Sequence, residues 1–242
     1  GERALPLVGD LTAPQLGLGD EQFTELAGVD HVVHAAAIYD LTAGEAEQRA
    51  TNVEGTRAVI DLAKKLDATL HHISSIAVAG TFPGTYTEAD FDVSQELPTP
   101  YHQTKFEAEQ LVRDAAGLRH RIYRPAVVVG DSRTGEMDKI DGPYYFFKLI
   151  QRLRQLLPPW MPTVGLEGGR VNIVPVDFVV NALNVISHQK DITKKCYHLV
   201  DPVGYRVGDV LDIFSRAAHA PRMNLFVNAA LLGFIPKGVK KS

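Results

Sequence analysis

The sequence has a single cysteine, Cys196, among its 242 residues, so no internal disulfide can form. This usage is typical of proteins in a reducing compartment, and we expect a cytoplasmic protein in which Cys196 is a small apolar residue on a strand. The sequence also lacks any run of about 18 apolar residues, which is the signature of a membrane-spanning helix.

Basic residues are not in excess, since 25 lysines and arginines stand against 29 acidic residues and the net charge is −4. This balance excludes a general electrostatic attraction to nucleic acid. The nine histidines are scattered and lack the paired spacings of a zinc site, so we predict no metal centre. The length permits one large α/β domain, or one domain with a small appendage.

Short apolar segments rich in β-branched residues alternate with segments of helical period. Such alternation is typical of a parallel sheet with helices on both faces, so we predict an α/β fold. The predicted strands are residues 5–8, 31–37, 69–79, 121–129, 171–174 and 196–200. The predicted helices are residues 53–66, 100–116 and 209–218.

Tyr101 and Lys105 stand four residues apart in the second of these helices, for which Thr99 is a suitable N-cap, Pro100 a suitable first residue and Gly117 a suitable stop. Residues i and i+4 share one helix face, so both side chains can reach one place. A neighbouring ammonium favours the phenolate and lowers the pKa of a tyrosine, which makes its hydroxyl a better acid near neutral pH.

Two predicted strands end in small residues. The segment HHISSIAVAG, 71–80, contains Ser74 and Ser75, and the segment HVVHAAA, 31–37, ends in three alanines. Ligands of parallel sheets bind at the carboxyl ends of the strands. A serine there can hydrogen-bond the substrate oxygen that a tyrosine protonates, and alanines let a flat cofactor lie close to the backbone.

The order of these segments resembles the extended short-chain dehydrogenase/reductase family over nearly the whole chain. The resemblance is carried by the Tyr101/Lys105 pair together with GD at 9–10, HAAA at 34–37, NVEGT at 52–56, SSIAVAG at 74–80, RPAVVVG at 124–130 and NIVPVDFV at 172–179. It implies a Rossmann-like, doubly wound sheet. The domains it implies are a dinucleotide-binding domain over 1–131 and 171–187, and a smaller substrate-binding region over 132–170 and 188–242.

The resemblance also implies roles for individual residues. Ser75 would be the catalytic serine, Tyr101 the general acid and base, Lys105 a ligand of the nicotinamide ribose as well, and Asn52 part of a water relay. NADP(H) is favoured over NAD(H). The residues expected to contact this cofactor are Asp10, Leu11, Ala35, Ala36, Ala37, Ser74, Tyr101, Lys105, Pro125, Ala126, Val127 and Val128.

Within that family, LVGDLTAPQLGLGDEQFTEL at 7–26, followed by VDHVVHAAA, is most similar to fatty acyl-CoA reductases and thioester reductase domains. This branch implies reduction of an acyl thioester to an aldehyde or alcohol. The aromatic residues at 144–147 and Trp160 would line an acyl channel or belong to the core. Two alternatives remain open: a nucleotide-sugar epimerase/dehydratase or hydroxysteroid-type dehydrogenase, and a catalytically silent binding domain.

The last segment, 225–242, joins an apolar stretch to three lysines. One interpretation is a docked helix followed by a linker to a further domain. The other is an interfacial helix that makes a peripheral membrane contact, which would suit a long-chain acyl substrate.

The family opens with a strand, a glycine-rich turn and a helix, whose backbone N–H groups hold the pyrophosphate. Here residue 1 falls just before the family's third strand, and no G-x-x-G-x-x-G precedes the segment HAAA. We therefore expect that the N-terminal β-α-β unit, roughly 50–65 residues of a longer protein, is missing from this chain.

Residues 1–242 by themselves are expected to bind NADPH weakly, because they offer no glycine-rich turn for the pyrophosphate. Isothermal titration calorimetry of the purified chain with NADPH measures this directly. Tight binding would show that other residues hold the cofactor.

Overall fold

The computed structural model describes residues 4–39, 44–137, 142–167, 169–190 and 193–228. The helices are α1 (Asp20–Glu25), α2 (Glu45–Arg49), α3 (Gly55–Lys65), α4 (Pro100–Asp114), α5 (Phe147–Leu156), α6 (Val176–His188) and α7 (Val207–Ala217). A π-helical turn, Ala50–Glu54, joins α2 to α3, and short 3-10 turns span Pro14–Gly17, Ile76–Ala79 and Gly142–Phe146. Among the described residues, none of the helices has the length and apolar character of a membrane-spanning segment.

The strands are β1 (His31–His34), β2 (Thr69–Ile73), β3 (His120–Pro125), β4 (Val127–Val129), β5 (Thr163–Glu167), β6 (Arg170–Val171), β7 (Ile173–Pro175), β8 (Cys196–Leu199), β9 (Tyr205–Arg206) and β10 (Met223–Asn228). The chain forms two compact units. One consists of Gly1–Ala126 and Val179–Leu199, and the other of Val127–Phe178 and Val200–Ser242.

The first unit contains a four-stranded sheet in the order β1-β2-β3-β8, and every pair in it is parallel. Parallel strands need crossover connections, which α3 and α4 supply between β1, β2 and β3. The sheet with its helices has the Rossmann-like α/β architecture that the sequence predicts.

The core of this unit lies between one face of the sheet and the helices α3 and α4. Leu70 on β2 and Ile122 on β3 are 0% and 1% exposed, and they pack in one cluster with Val59 and Ala63 of α3 and Val112 of α4. Residues 59 and 63 are one helical turn apart, so both face the sheet. This apolar layer fixes the positions of the two helices over the strands.

On the opposite face, Arg121 of β3 reaches the end of α6. Its guanidinium donates hydrogen bonds to the backbone oxygens of Ile186, Ser187 (2.9 Å) and Gln189 (2.6 Å). The last carbonyls of a helix have no partners within the helix, so a cation is favourable there.

The second unit contains three two-stranded sheets: β4 with β7 and β5 with β10, both parallel, and β6 with β9, antiparallel. Its apolar cluster is formed by Ile150 of α5, Leu211 of α7, Ala220 and Met223, with Phe146 and Phe214 packed against it. The helix predicted over 209–218 is confirmed as α7, whose Val210 and Leu211 are buried.

The strand predicted over residues 5–8 is wrong. These residues have no regular structure, and Leu5 and Val8 are 85% and 86% exposed. A strand is held by backbone bonds to a neighbouring strand. The Val8 carbonyl instead accepts a bond from the side-chain amide of Gln22, 3.1 Å away.

Three other predicted strands are too long. The segment 31–37 leaves the sheet after His34, and the segment 69–79 leaves it after Ile73. The segment 121–129 is divided into β3 and β4 on either side of Ala126, because β4 pairs with β7 and not with the four-stranded sheet.

The domain limits differ from the observed units in two places. β8 belongs to the four-stranded sheet, although it lies within the predicted region 188–242. The sequence predicts that residues 171–174 return to the main sheet, and this is wrong. β6 pairs with β9, and β7 pairs with β4. The assignment of one region to dinucleotide and the other to substrate stays a prediction.

Replacing Leu70 with alanine should lower the free energy of unfolding by about 2 to 5 kcal/mol, because it leaves a cavity beneath α3 and α4. Urea unfolding followed by circular dichroism measures the change. The matched control is Val185→Ala on α6, where the side chain is 57% exposed and we expect a change within about 0.5 kcal/mol. Equal losses in both variants would contradict the assignment of the core.

Candidate active site

Helix α4 carries the predicted tyrosine and lysine, and its ends follow from the sequence. The Thr99 hydroxyl accepts a bond from the His102 backbone N–H, Pro100 is the first helical residue, and Gly117 adopts a φ of +75° beyond the end. Along one face of α4, exposure falls in steps of one turn. Tyr101 is half-buried, Lys105 is 4% exposed and Glu109 is 0% exposed.

The buried ammonium of Lys105 lies at the carboxyl end of β2. Its Nζ donates a hydrogen bond of 2.7 Å to the backbone oxygen of Ile73, the last residue of the strand, and Ser75 follows two residues later. Burial lowers the pKa of Lys105 to about 8, and the negative charge of Glu109 opposes that change. Lys105 is therefore mostly charged at pH 7.

The two serines that follow β2 face different surroundings. Ser75 is half-buried and caps the turn Ile76–Ala79, where its Oγ accepts a bond of 3.1 Å from the Ala77 N–H. Ser74 is 3% exposed, and its Oγ donates a bond of 2.6 Å to Glu109. The structure gives Ser74 a bond within the protein interior, and its predicted contact with a cofactor stays a prediction.

Asn52 lies in the π-helical turn and ties two segments together. Its side chain bonds both backbone groups of Ile38, at 2.7 and 2.8 Å, and donates to the Thr104 hydroxyl at 3.1 Å. Thr104 in turn donates to the backbone oxygen of Tyr101 at 3.2 Å. Asn52 therefore connects the segment after β1 to the first turn of α4, and its predicted role in a water relay stays a prediction.

The alanines after β1 lie at the carboxyl edge of the sheet. Ala35 and Ala36 are exposed and Ala37 is half-buried. β1 ends at His34, and the bonds between Asn52 and Ile38 hold the segment that follows the strand.

The remaining predicted cofactor residues belong to both units. Asp10 is exposed and its carboxylate accepts bonds from the N–H and hydroxyl of Thr12, which lowers its pKa. Leu11 packs against the core of the first unit. Pro125, the last residue of β3, and Ala126 are buried, whereas Val127 and Val128 belong to β4 of the second unit.

Arg124, which precedes Pro125 on β3, is 0% exposed. Its guanidinium pairs with the carboxylate of Glu109 at 2.7 and 3.1 Å and donates to the backbone oxygen of Asp90 at 3.0 Å. Burial would raise the pKa of Glu109, but Arg124 and Ser74 together hold it below its usual value. These contacts give Arg124 a structural role, since it connects Glu109 of α4 to the backbone at Asp90.

Two buried histidines, His34 and His72, are close enough to Lys105 of α4 to be affected by its charge. The His34 Nε2 and the Thr56 hydroxyl are 2.9 Å apart, and the His34 and His72 ring centroids are 5.6 Å apart. Burial, with the charge of Lys105 second, lowers the pKa of His34 to about 4 and that of His72 well below 6.5. Both rings are therefore neutral at pH 7.

The aromatic residues of the second unit do not all have the same surroundings. The Tyr144 hydroxyl accepts a bond from the Gly130 N–H at 2.9 Å, and its ring contacts Phe147 and Phe214. Tyr145 and Trp160 are 60% and 79% exposed. An acyl channel lined by this group stays a prediction. The predicted contact of 225–242 with a membrane concerns residues that lie mostly outside the described ranges.

Sequence reasoning did not identify Glu109, whose carboxylate bonds a serine of the predicted site. It lies four residues after Lys105, so the spacing of Tyr101, Lys105 and Glu109 places all three on one face. That spacing was the available signal. Its partners Arg124 and Ser74 are distant in sequence and no local pattern indicates them.

Comparison with known proteins gives a family and several relatives. The sequence model of an NAD-binding protein family, described as male sterility protein, matches residues 1–183 of this chain. Glycine betaine reductase ATRR of Emericella nidulans is 34% identical over 210 residues, which are 83% of this chain and 16% of that protein. Isonitrile lipopeptide synthase of Streptomyces coeruleorubidus is 32% identical over 219 residues, 87% of this chain and 14% of that protein.

Among solved structures, the terminal R domain from the myxalamid PKS-NRPS biosynthetic pathway superimposes with a TM-score of 0.73 and 28% identity. The match covers 93% of this chain and 56% of that chain. This chain therefore spans about half of the solved domain and less than a fifth of the two larger relatives.

The neutral, buried state of His34 predicts an acid-sensitive fold. A histidine whose folded pKa is near 4 takes up its proton more readily when unfolded, so stability is present above about pH 6.5 and is lost as pH falls toward 4. Between pH 7 and 4.5 this residue should cost roughly 2 to 3 kcal/mol.

Urea unfolding at both pH values, for the parent chain and for His34→Gln, measures that cost. The variant should lose less stability on acidification than the parent. His188→Gln, at the exposed end of α6, is the control and should behave as the parent does. An identical acid loss in His34→Gln and the parent would refute the assignment.

Proposed function

Since the chain belongs to the NAD-binding family described as male sterility protein, within the extended short-chain dehydrogenases/reductases, we propose that it is an NAD(P)H-dependent reductase of acyl thioesters. The observation that carries the proposal is the Lys105 ammonium, bonded to the end of β2 just before Ser75 and one helical turn from Tyr101. Chemistry in parallel sheets is located at this edge.

The residues present fit a nicotinamide dinucleotide. Ala35 and Ala36 are exposed beyond β1 and offer no bulk that would obstruct a flat ligand. Lys105 offers a charged donor for ribose hydroxyls. The choice of NADP(H) over NAD(H) stays a prediction from the sequence.

When bound, the reduced nicotinamide supplies a hydride to the carbonyl carbon of the thioester. Tyr101 donates its phenolic proton to the carbonyl oxygen, and Ser75 hydrogen-bonds that oxygen as negative charge develops on it. The charge of Lys105 stabilises the resulting tyrosinate. Tyr101 then recovers the proton from the hemithioacetal hydroxyl as the C–S bond breaks, the aldehyde is released, and the departing thiolate is protonated by solvent.

The substrate is proposed to be an acyl group bound as a thioester to a carrier. Support comes from the likeness to a terminal R domain of a PKS-NRPS pathway and to a lipopeptide synthase. This chain spans a small part of the larger relatives, so we also propose that it works beside further domains. A cytoplasmic location and a membrane contact through 225–242 stay predictions from the sequence.

Tyr101→Phe in the intact protein should lower kcat for thioester reduction by about a hundredfold or more, because the carbonyl oxygen loses its proton donor. The assay follows NADPH oxidation with a panel of acyl-CoA and carrier-bound thioesters, and mass spectrometry identifies the products. The control Tyr205→Phe changes a tyrosine of the second unit that bonds Asp201, and should retain the parent rate.

Unchanged turnover in Tyr101→Phe would remove the catalytic assignment. Conversion of a nucleotide sugar without thioester reduction would favour the epimerase/dehydratase alternative. A parent protein that turns over neither class would favour a silent binding domain.

A further inference from the structure

The carboxylate of Glu109 is enclosed in the first unit and fully occupied by donors. Oε2 accepts from the Ser74 Oγ at 2.6 Å and from the Arg124 Nε at 3.1 Å. Oε1 accepts from the Arg124 Nη2 at 2.7 Å and from the Arg113 Nε at 2.8 Å. A carboxylate has about four acceptor positions, so these four bonds fix the places of all the donors at once.

Those donors lie next to residues with proposed roles in the reaction. Ser74 precedes Ser75, and Arg124 precedes Pro125 at the end of β3. Glu109 itself is on the helix that carries Tyr101 and Lys105. Its carboxylate therefore joins the ends of two strands to the helix that packs over them.

The arginine extends this connection to a third segment. Arg124 also donates to the backbone oxygens of Asp90 and Thr87, and its Nη1 lies 3.1 Å from the His198 Nε2 on β8. Loss of the carboxylate would leave this buried guanidinium without its charge partner, and every group it holds would be free to shift.

We propose that Glu109 is a positioning residue for the reaction centre, whose buried carboxylate holds the serine turn after β2 against the helix that carries Tyr101 and Lys105. The inference rests on the function proposed for those residues. Ser75 is placed through its neighbour Ser74, and the lysine is placed through the shared helix.

The same carboxylate provides negative charge one turn from Lys105. Burial, and after it the charge of Lys105, lowers the pKa of His34 of β1 and of His72 of β2, so both are neutral at pH 7 and add no charge beside the lysine. Toward Glu109 itself face the guanidinium groups of Arg113 and Arg124. Its charge also acts on four other titratable side chains: Tyr86, His120, Cys196 and His198. Glu109 should thus hold the ammonium form of Lys105 to a higher pH than burial alone would allow.

The test is a titration of Lys105 by NMR in protein labelled with [¹³C]ε-lysine, with the signal assigned by its loss in Lys105→Arg. In Glu109→Gln the midpoint should fall by about one pH unit, because the opposite charge is gone. In Glu109→Asp, which keeps the charge, it should stay near the parent value. The matched control is Glu107→Gln, since Glu107 is on the same helix and pairs with Arg49 at the surface.

Kinetics of the intact protein provide the second measurement. The ammonium form is the active one, so kcat falls as pH rises through the pKa of Lys105. In a plot of kcat against pH, this fall is the alkaline limb. Glu109→Gln should move the alkaline limb to lower pH by the same amount as the NMR midpoint, with KM little changed. Glu109→Asp should return the limb to the parent position. A lower kcat with no movement of the limb or the midpoint would overturn the proposal.

Ser74→Ala provides a test that keeps both arginine pairs, should Glu109→Gln fail to fold. It should lower kcat about tenfold or more without moving the NMR midpoint of Lys105, because a displaced serine turn misplaces Ser75. An unchanged kcat would remove the positioning role. If the parent protein reduces no thioester, the proposed function fails, while the NMR midpoints still decide whether Glu109 acts on Lys105.

Discussion

Charge buried beneath α4 is the constraint on which the first unit depends. Lys105, Glu109 and Arg124 are all nearly inaccessible to water, and each would cost several kcal/mol to bury without partners. The lysine is satisfied by a strand-end carbonyl and the other two mainly by each other. These bonds reach across strands and helix, so α4 has one position in which all of them are made, and the apolar layer beneath α3 and α4 has to fit that position.

Side-chain exposure decreases along α4 and separates accessible residues from enclosed residues that hold the structure. Tyr101, near the start of the helix, is half-buried and can meet a ligand, whereas Glu109, two turns later, is enclosed. The ends of β1 and β2 are arranged in the same way. Ala35 and Ala36 are exposed while Asn52 holds the segment behind them, and Ser75 is half-buried while Ser74 is held in the interior.

The sequence allowed the parallel sheet, α3, α4 and the family to be predicted, because those features depend on local signals. Thr99, Pro100 and Gly117 define a helix by themselves, and short β-branched runs define buried strands. Strand ends and strand partners could not be predicted in the same way. The segment after β1 is held by a bond from Ile38 to Asn52, 14 residues along the chain, and β4 and β7 pair with each other rather than with the main sheet.

The π-helical turn at Ala50–Glu54 has a consequence for how this protein tolerates length changes. A π turn contains one residue more than an α turn, and such bulges are frequent at functional sites. Deleting a residue there would make the helix from Glu45 to Lys65 more regular. It would also rotate everything before the deletion by about 100° relative to α3, so Asn52 and Val53 could not both keep their present directions. Helical regularity and the link from β1 to α4 are in direct conflict at this turn, and the fold retains the link.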